Sequence, residues 1–194
     1  MSKGKSNQLR IIGGQWRGRL LPFPDAVGLR PTPDRVRETL FNWLQGVVTG
    51  ARCLDLFAGS GALGLEALSR GATKTVLVES NPVVVTTLRE HLVRLDAAKH
   101  GQVLQGNALD YLQGPSQPFD LVFIDPPFHQ GWIAHCCPLL EKRGWLAEGA
   151  WIYLETEAEL PPQPLPPNWE LIRTRHAGQV GYHLARYLPK QLPR

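Results

Sequence analysis

A chain of 194 residues with 43% hydrophobic side chains is long enough for one domain with a real core. No stretch approaches the roughly 18 apolar residues of a membrane span, and MSKGKSNQLR lacks the apolar run of a secretory signal, so the expected address is cytoplasmic. The net charge of +4 is unevenly spread: residues 1–37 hold eight basic side chains against two acidic ones, leaving 13 basic and 15 acidic residues for the rest. A basic end on a slightly acidic body suits a polyanionic partner such as nucleic acid, and a solvated tail gives the same composition. Cys53, Cys136 and Cys137 form neither an even disulfide framework nor a CxxC pair. They read as packing residues in a reducing compartment.

In chain order, LRIIGGQWRGRLLPFP offers two short apolar runs parted by glycines, Trp16 and arginines, which predicts a small β-hairpin. DRVRETLFNWLQGVV spaces Val36, Leu40, Trp43 and Leu44 along one helical face, with Asp34 or Thr32 as candidate caps. From residue 51 strands and helices alternate. ARCLDLF, KTVLVE, GQVLQG, FDLVFID and GAWIYLE read as strands; ALGLEALSRG, PVVVTTLREHLVRL, ALDYL and about 131–143 read as helices. This alternation predicts an α/β fold with a mostly parallel sheet wrapped on both faces. The link LPPQPLPP is rigid, and WELIRTRHAGQVGYHLARYL predicts two strands around AGQ that close the sheet as an antiparallel hairpin. Residues 1–33 form a basic extension, and 34–194 the main domain.

The loop LDLFAGSGALG carries Gly59, Gly61 and Gly64 in G-x-G-x-x-G spacing, and Glu79 ends the next strand 20 residues after Gly59. Such glycines admit a ligand close to the backbone, and the acid can accept both hydroxyls of a ribose. Those features fit NAD and other adenosine cofactors alike. Asp55, inside the strand before the turn, gains nothing beside a pyrophosphate but suits a cationic sulfonium with its ammonium group, which points to S-adenosyl-L-methionine. Asn107 and Ala108, after the third strand, can meet an adenine edge, although Asn there is also a common helix cap.

The strand FDLVFID ends in Asp125, Pro126, Pro127 and Phe128. An aromatic amine is a poor nucleophile until acceptors draw its nitrogen toward tetrahedral geometry. The Asp125 carboxylate and the Pro126 carbonyl can each accept one N–H, the two prolines fix the backbone, and Phe128 can stack on the base. A nicotinamide-dependent oxidoreductase, an adenine-N6 methyltransferase and a non-catalytic RNA-binding assembly protein all stay open at this level. His129, His135, Cys136 and Cys137 lack any zinc-ligand spacing, so no metal is expected. His129 can touch RNA, and Tyr182 can reach substrate from the last hairpin.

DLFAGSGALG, Glu79, NAL and DPPF, in this order, resemble class I methyltransferases acting on exocyclic amino groups. RIIGGQWRGRLLPFPDAVGLRPTPDRVRETLFNWL followed by CLDLFAGSGALGLEALSRGA is similar to the bacterial 16S rRNA guanine-N2 methyltransferases named for guanine-966, and the likeness covers nearly the whole chain. Asn107 stands where many wider methyltransferases have an acid. The resemblance implies a seven-stranded Rossmann-like sheet and transfer of a methyl group to guanine N2 in 16S rRNA, within the small subunit or a late assembly intermediate. A monomer without an obligate protein partner is expected. The candidate catalytic residues are Asp125, Pro126, Pro127 and Phe128. The cofactor set is Asp55, Phe57, Ala58, Gly59, Gly61, Glu79, Ser80, Asn107, Ala108 and Asp125. For RNA, Arg10, Arg17 and Arg19 flank Trp16 as a possible stacking ring, while Arg30, Thr32, Arg35 and Arg37 are expected near the active-site mouth.

Overall fold

The structure, a computed structural model, describes residues 7–26, 29, 31–158 and 165–189. Arg30 and most of the proline-rich link lie outside the described residues. Strands β1 (Asn7–Arg10) and β2 (Leu20–Phe23) pair antiparallel, joined through a short 3-10 turn at Gly14–Trp16. Helix α1 (Asp34–Trp43) follows. It stops short of the run's apolar end because the chain turns at Gly46, whose φ of +81° costs glycine little. Neither expected cap is used. Asp34 pairs with Arg37 at 2.6 Å, Pro33 occupies the N-cap, and the Thr32 hydroxyl is committed elsewhere.

The main sheet has seven strands in the order β5-β4-β3-β6-β7-β9-β8. Strands β3 (Arg52–Asp55), β4 (Lys74–Glu79), β5 (Gly101–Gln105), β6 (Phe119–Ile124) and β7 (Leu146–Glu157) are parallel, and β9 (Val180–Tyr187) runs antiparallel to both β7 and β8 (Trp169–Ala177). This is the Rossmann-like sheet with an antiparallel C-terminal hairpin expected from the sequence. β7 begins earlier than GAWIYLE, and β8 is exposed on both sides beyond Trp169.

Helices α2 (Gly64–Ser69), α3 (Pro82–Arg94), α4 (Ala108–Gln113) and α5 (Trp132–Lys142) complete the layers. Strand alternation assigns the two faces. Leu54, Val122, Ile124, Ile152 and Leu154 point to a core shared with α4 and α5, and Cys53, Leu121, Phe123 and Tyr153 point to one shared with α1 and α2. A third cluster joins α2 and α3 to the N-terminal hairpin through Leu9, Ile11, Leu21 and Phe23. The hairpin is thus packed on the domain, each buried leucine contributing about 2 kcal/mol. α5 continues through Pro138, which forfeits a helix hydrogen bond, while Ile133, Cys136, Cys137 and Leu140 hold its inner face against the sheet.

Candidate active site

The chain leaves β3 toward β4 and β5 on one side, then crosses back to β6 on the other. Such a reversal opens a crevice at the carboxyl ends of the strands. A cleft of about 460 Å³ lies there, lined by Asp55, Phe57, Ala58, Gly59, Glu79, Ser80, Asn107, Ala108 and Asp125 together with Thr32, Pro127 and Trp132. Nine of the ten residues expected around a cofactor therefore meet in one place. The tenth, Gly61, stands behind the loop: a Cβ there would lie 2.7 Å from Leu65 Cδ1 and 2.8 Å from Leu88 Cδ2, so packing accounts for the glycine. Trp132 was not foreseen. Its ring stands edge-on to Phe57 at 5.4 Å, with its N–H donated to Gln130.

The glycine loop is braced by carboxylates. Glu79 Oε2 accepts the Gly59 N–H at 3.0 Å and keeps a lone pair for a further donor, while Oε1 accepts the Asn81 N–H at 2.7 Å and the Ser80 hydroxyl at 3.5 Å. Asp55 is 1% exposed and accepts the Gly64 N–H at 2.9 Å. Burial pushes its carboxyl up to about 7, against the opposing effect of that N–H. The Asn107 side chain caps α4 by accepting the Leu109 N–H at 2.8 Å.

At the end of β6 the Thr32 hydroxyl lies 3.3 Å from Asp125 Oδ2 and 3.2 Å from Glu155 Oε1. Tyr153 donates its phenolic proton to the same Glu155 oxygen at 2.8 Å. Thr32 has one proton for two acceptors, so the pair of carboxyls is best satisfied when they share a proton of their own. Burial raises both above the ordinary carboxyl range, and for Asp125 the charge of Glu155 raises it further. Glu155 was not foreseen, since its partner lies 30 residues upstream and only the strand register joins them. No described donor bonds the Pro126 carbonyl. Phe128 is half-buried beside His129, which takes a left-handed φ of +62° and bonds Glu157 through its N–H.

Asp55, Glu79 and Asp125 thus line one cleft, with Glu155 buried beside Asp125, and none of the four pairs with a lysine, arginine or histidine among the described residues. That donor set fits a cationic ligand such as the sulfonium and ammonium of S-adenosyl-L-methionine. A pyrophosphate would add charge of the same sign.

The N-terminal expectations divide. Arg10, Arg17, Arg19 and Arg35 are exposed. Trp16 is 9% exposed and packed in the hairpin core, so its ring does not face solvent as a stacking platform, and its backbone N–H donates to Ser69 Oγ at 3.0 Å. Arg37, 1% exposed, lies away from the mouth, bonded to Asp34, Glu66 and the carbonyls of Thr32 and Arg10. Thr32 is buried and turned to the two carboxyls. Tyr182 is buried against Trp43, their rings stacked at 5.5 Å.

A family model described as "Conserved hypothetical protein 95" matches residues 9–186. The chain is 53% identical over 179 residues to the ribosomal RNA small subunit methyltransferase D of Escherichia coli, covering 92% of this chain and 90% of that one. It is 46% identical over 180 residues to the protein of the same name from Haemophilus influenzae, covering 91% and 93%. The solved structure of yhhF from Escherichia coli superposes with a TM-score of 0.87 at 50% identity, covering 95% of this chain and 100% of that one.

Proposed function

The chain belongs to the family described as "Conserved hypothetical protein 95", and from that membership and the carboxyl-rich cleft we propose that it is an S-adenosyl-L-methionine-dependent methyltransferase of small-subunit ribosomal RNA. The finer reading is transfer to the exocyclic N2 of a guanine of the guanine-966 type, in 16S rRNA of the small subunit or a late assembly intermediate. The observation that carries the chemistry is Asp125 at the cleft wall, followed in the chain by a Pro126 carbonyl that no described donor bonds. The cofactor supplies an electrophilic methyl group.

Asp55 and Glu79 hold the cationic and ribose ends of that ligand, with Asn107 and Ala108 at the adenine. Asp125 and the Pro126 carbonyl accept the two N–H groups of the target amine, which turns its lone pair toward the cleft and fixes it for attack. Phe128 packs against the base. Once the nitrogen carries the methyl group it is acidic, and its proton passes to the ionised member of the Asp125–Glu155 pair. Glu155 tunes the basicity of Asp125, and Thr32 and Tyr153 orient both.

The test is transfer of labelled methyl to small subunits from cells lacking this protein, followed by nucleoside identification. Label in N2-methylguanosine is expected. Label in N6-methyladenosine would overturn the base assignment while keeping the reaction, and no label in any RNA would overturn the function.

A further inference from the structure

We propose that the exposed face of β8, through Arg173 and Arg175, grips RNA phosphates flanking the target base. The inference rests on the RNA-methylating reading above and adds a contact surface remote from the basic N-terminus.

The strand register carries it. Glu155 stands opposite Tyr182, and Tyr182 opposite Arg175. Ile124 pairs with Leu154, so Asp125 aligns with Glu155. Asp125, Glu155, Tyr182 and Arg175 therefore form one row across four strands on one face of the sheet. Three strand spacings separate the ends of that row, about 14 Å. Arg173 stands in the next row on the same face, opposite Leu184, which pairs with Tyr153. β8 runs in the same direction as β6 and β7, so its C-terminal half reaches the edge of the sheet that holds the cleft.

Both arginines are exposed, and neither has an ion pair among the described residues. Of the acids on β7, Glu155 is buried with Thr32 and Tyr153, and Glu157, one row further on, is occupied by His129. Edge strands carry charge to discourage pairing with another sheet, but that purpose is served by either sign. Here two arginines without an ion pair, their Cα atoms about 7 Å apart along the strand, stand opposite Leu184 and Tyr182, the latter stacked on Trp43. Guanidinium forks suit phosphate oxygens. A base drawn to Asp125 leaves its neighbouring phosphates outside the cleft, within reach of such a pair. The N-terminal hairpin packs with α2, α3, β4 and β5, whereas β8 is the opposite edge strand, so basic surfaces stand toward both flanks of the sheet.

The experiment compares wild type, R173Q/R175Q and the matched control K74Q/K99Q, which removes two exposed charges at the opposite edge of the sheet. Steady-state methylation of small subunits and binding to protein-free 16S rRNA are measured across a salt series. For R173Q/R175Q we expect KM and the RNA dissociation constant to rise about tenfold at moderate salt. The slope of log affinity against log salt should shrink by about 1.4. kcat at saturating subunits, S-adenosylhomocysteine affinity and melting temperature should match wild type, and the control should bind as wild type does. Unchanged KM and salt slope, or an equal loss in the control, would overturn the proposal. Weakening confined to protein-containing subunits, with an unaltered salt slope, would reassign the face to a protein partner and also overturn it. Failure of wild type to methylate any RNA would instead remove the function, so the two failures are distinguishable.

Discussion

Beneath the N-terminal hairpin, Arg37 and Glu66 are 1% and 0% exposed, and each charge meets a counter-charge: Arg37 with Asp34 and Glu66, Glu66 with Arg70 at 2.7 Å. Glu66 also accepts the Ile12 N–H and Arg37 donates to the Arg10 carbonyl, so the node ties β1 to α1 and α2. At and behind the cleft wall, Asp55 and Glu155 are 1% and 5% exposed, yet their partners are hydroxyls, backbone N–H groups and a neighbouring carboxyl. Both regions bury acids, and only one neutralises them. Buried charge is costly unless paired, so the balanced node serves the fold, whereas the unbalanced cleft is kept for a ligand that brings the missing positive charge.

Removing the reacting member of the unbalanced set has the largest effect. Asp125→Ala should lower methyl transfer by about 10²–10⁴-fold while the protein still binds S-adenosylhomocysteine, read by labelled-methyl incorporation and calorimetry. Transfer at the wild-type rate would end the role assigned to Asp125. Breaking the balanced node should do the reverse. Glu66→Gln leaves Arg37 with Asp34 alone, whose side chain is 57% exposed, and should cost about 3 kcal/mol in denaturant unfolding with the activity per folded molecule retained.

Asp55 sharpens the contrast because neutralising it should weaken binding and strengthen the fold. Asp55→Asn should reduce affinity for S-adenosylmethionine about tenfold and for the uncharged thioether product less. The folded carboxyl sits at about 7, above its unfolded value. Below about pH 3 both states are protonated. As pH climbs toward 7 the unfolded chain releases the proton first, so wild type should lose stability relative to the variant across that window and hold a constant deficit above it. The deficit is about 4 kcal/mol, measured as the difference in unfolding free energy of the ligand-free proteins at about pH 3 and pH 8.

The same contrast explains what could be read from the sequence. Strand and helix periods were visible because each face repeats locally, and Asp55, Glu79 and Asp125 stood out as acids ending apolar strands next to glycine or proline punctuation. Glu155 also ends a strand, but GAWIYLE looks like a run reaching solvent until the β6–β7 register sets it beside Asp125. Arg37 and Trp16 sat in a basic, glycine-rich stretch that resembled a surface. Their burial depends on Glu66 and Ser69, more than 25 residues away in the chain, and no local period encodes that pairing. Charge could be counted in the sequence; whether it was compensated could not.

The smallest predicted change tests whether Asp125 and Glu155 titrate as a pair. Glu155→Gln keeps an acceptor for Tyr153 and Thr32 but removes the like charge that helps raise Asp125. Other groups facing the pair are Asp55 on β3, Tyr153 on β7 and Tyr182 on β9, all unaltered by the substitution. Asp125 must be ionised to accept a proton, so the acid limb of the kcat–pH profile should move to lower pH in the variant. A simple loss of packing would lower the plateau and leave the limb where it was. Carboxyl carbon NMR titration of the ligand-free proteins reads the same shift without turnover, and an acid limb that moved upward would mean that Glu155 acts on Asp125 as a donor whose loss is felt more than its charge.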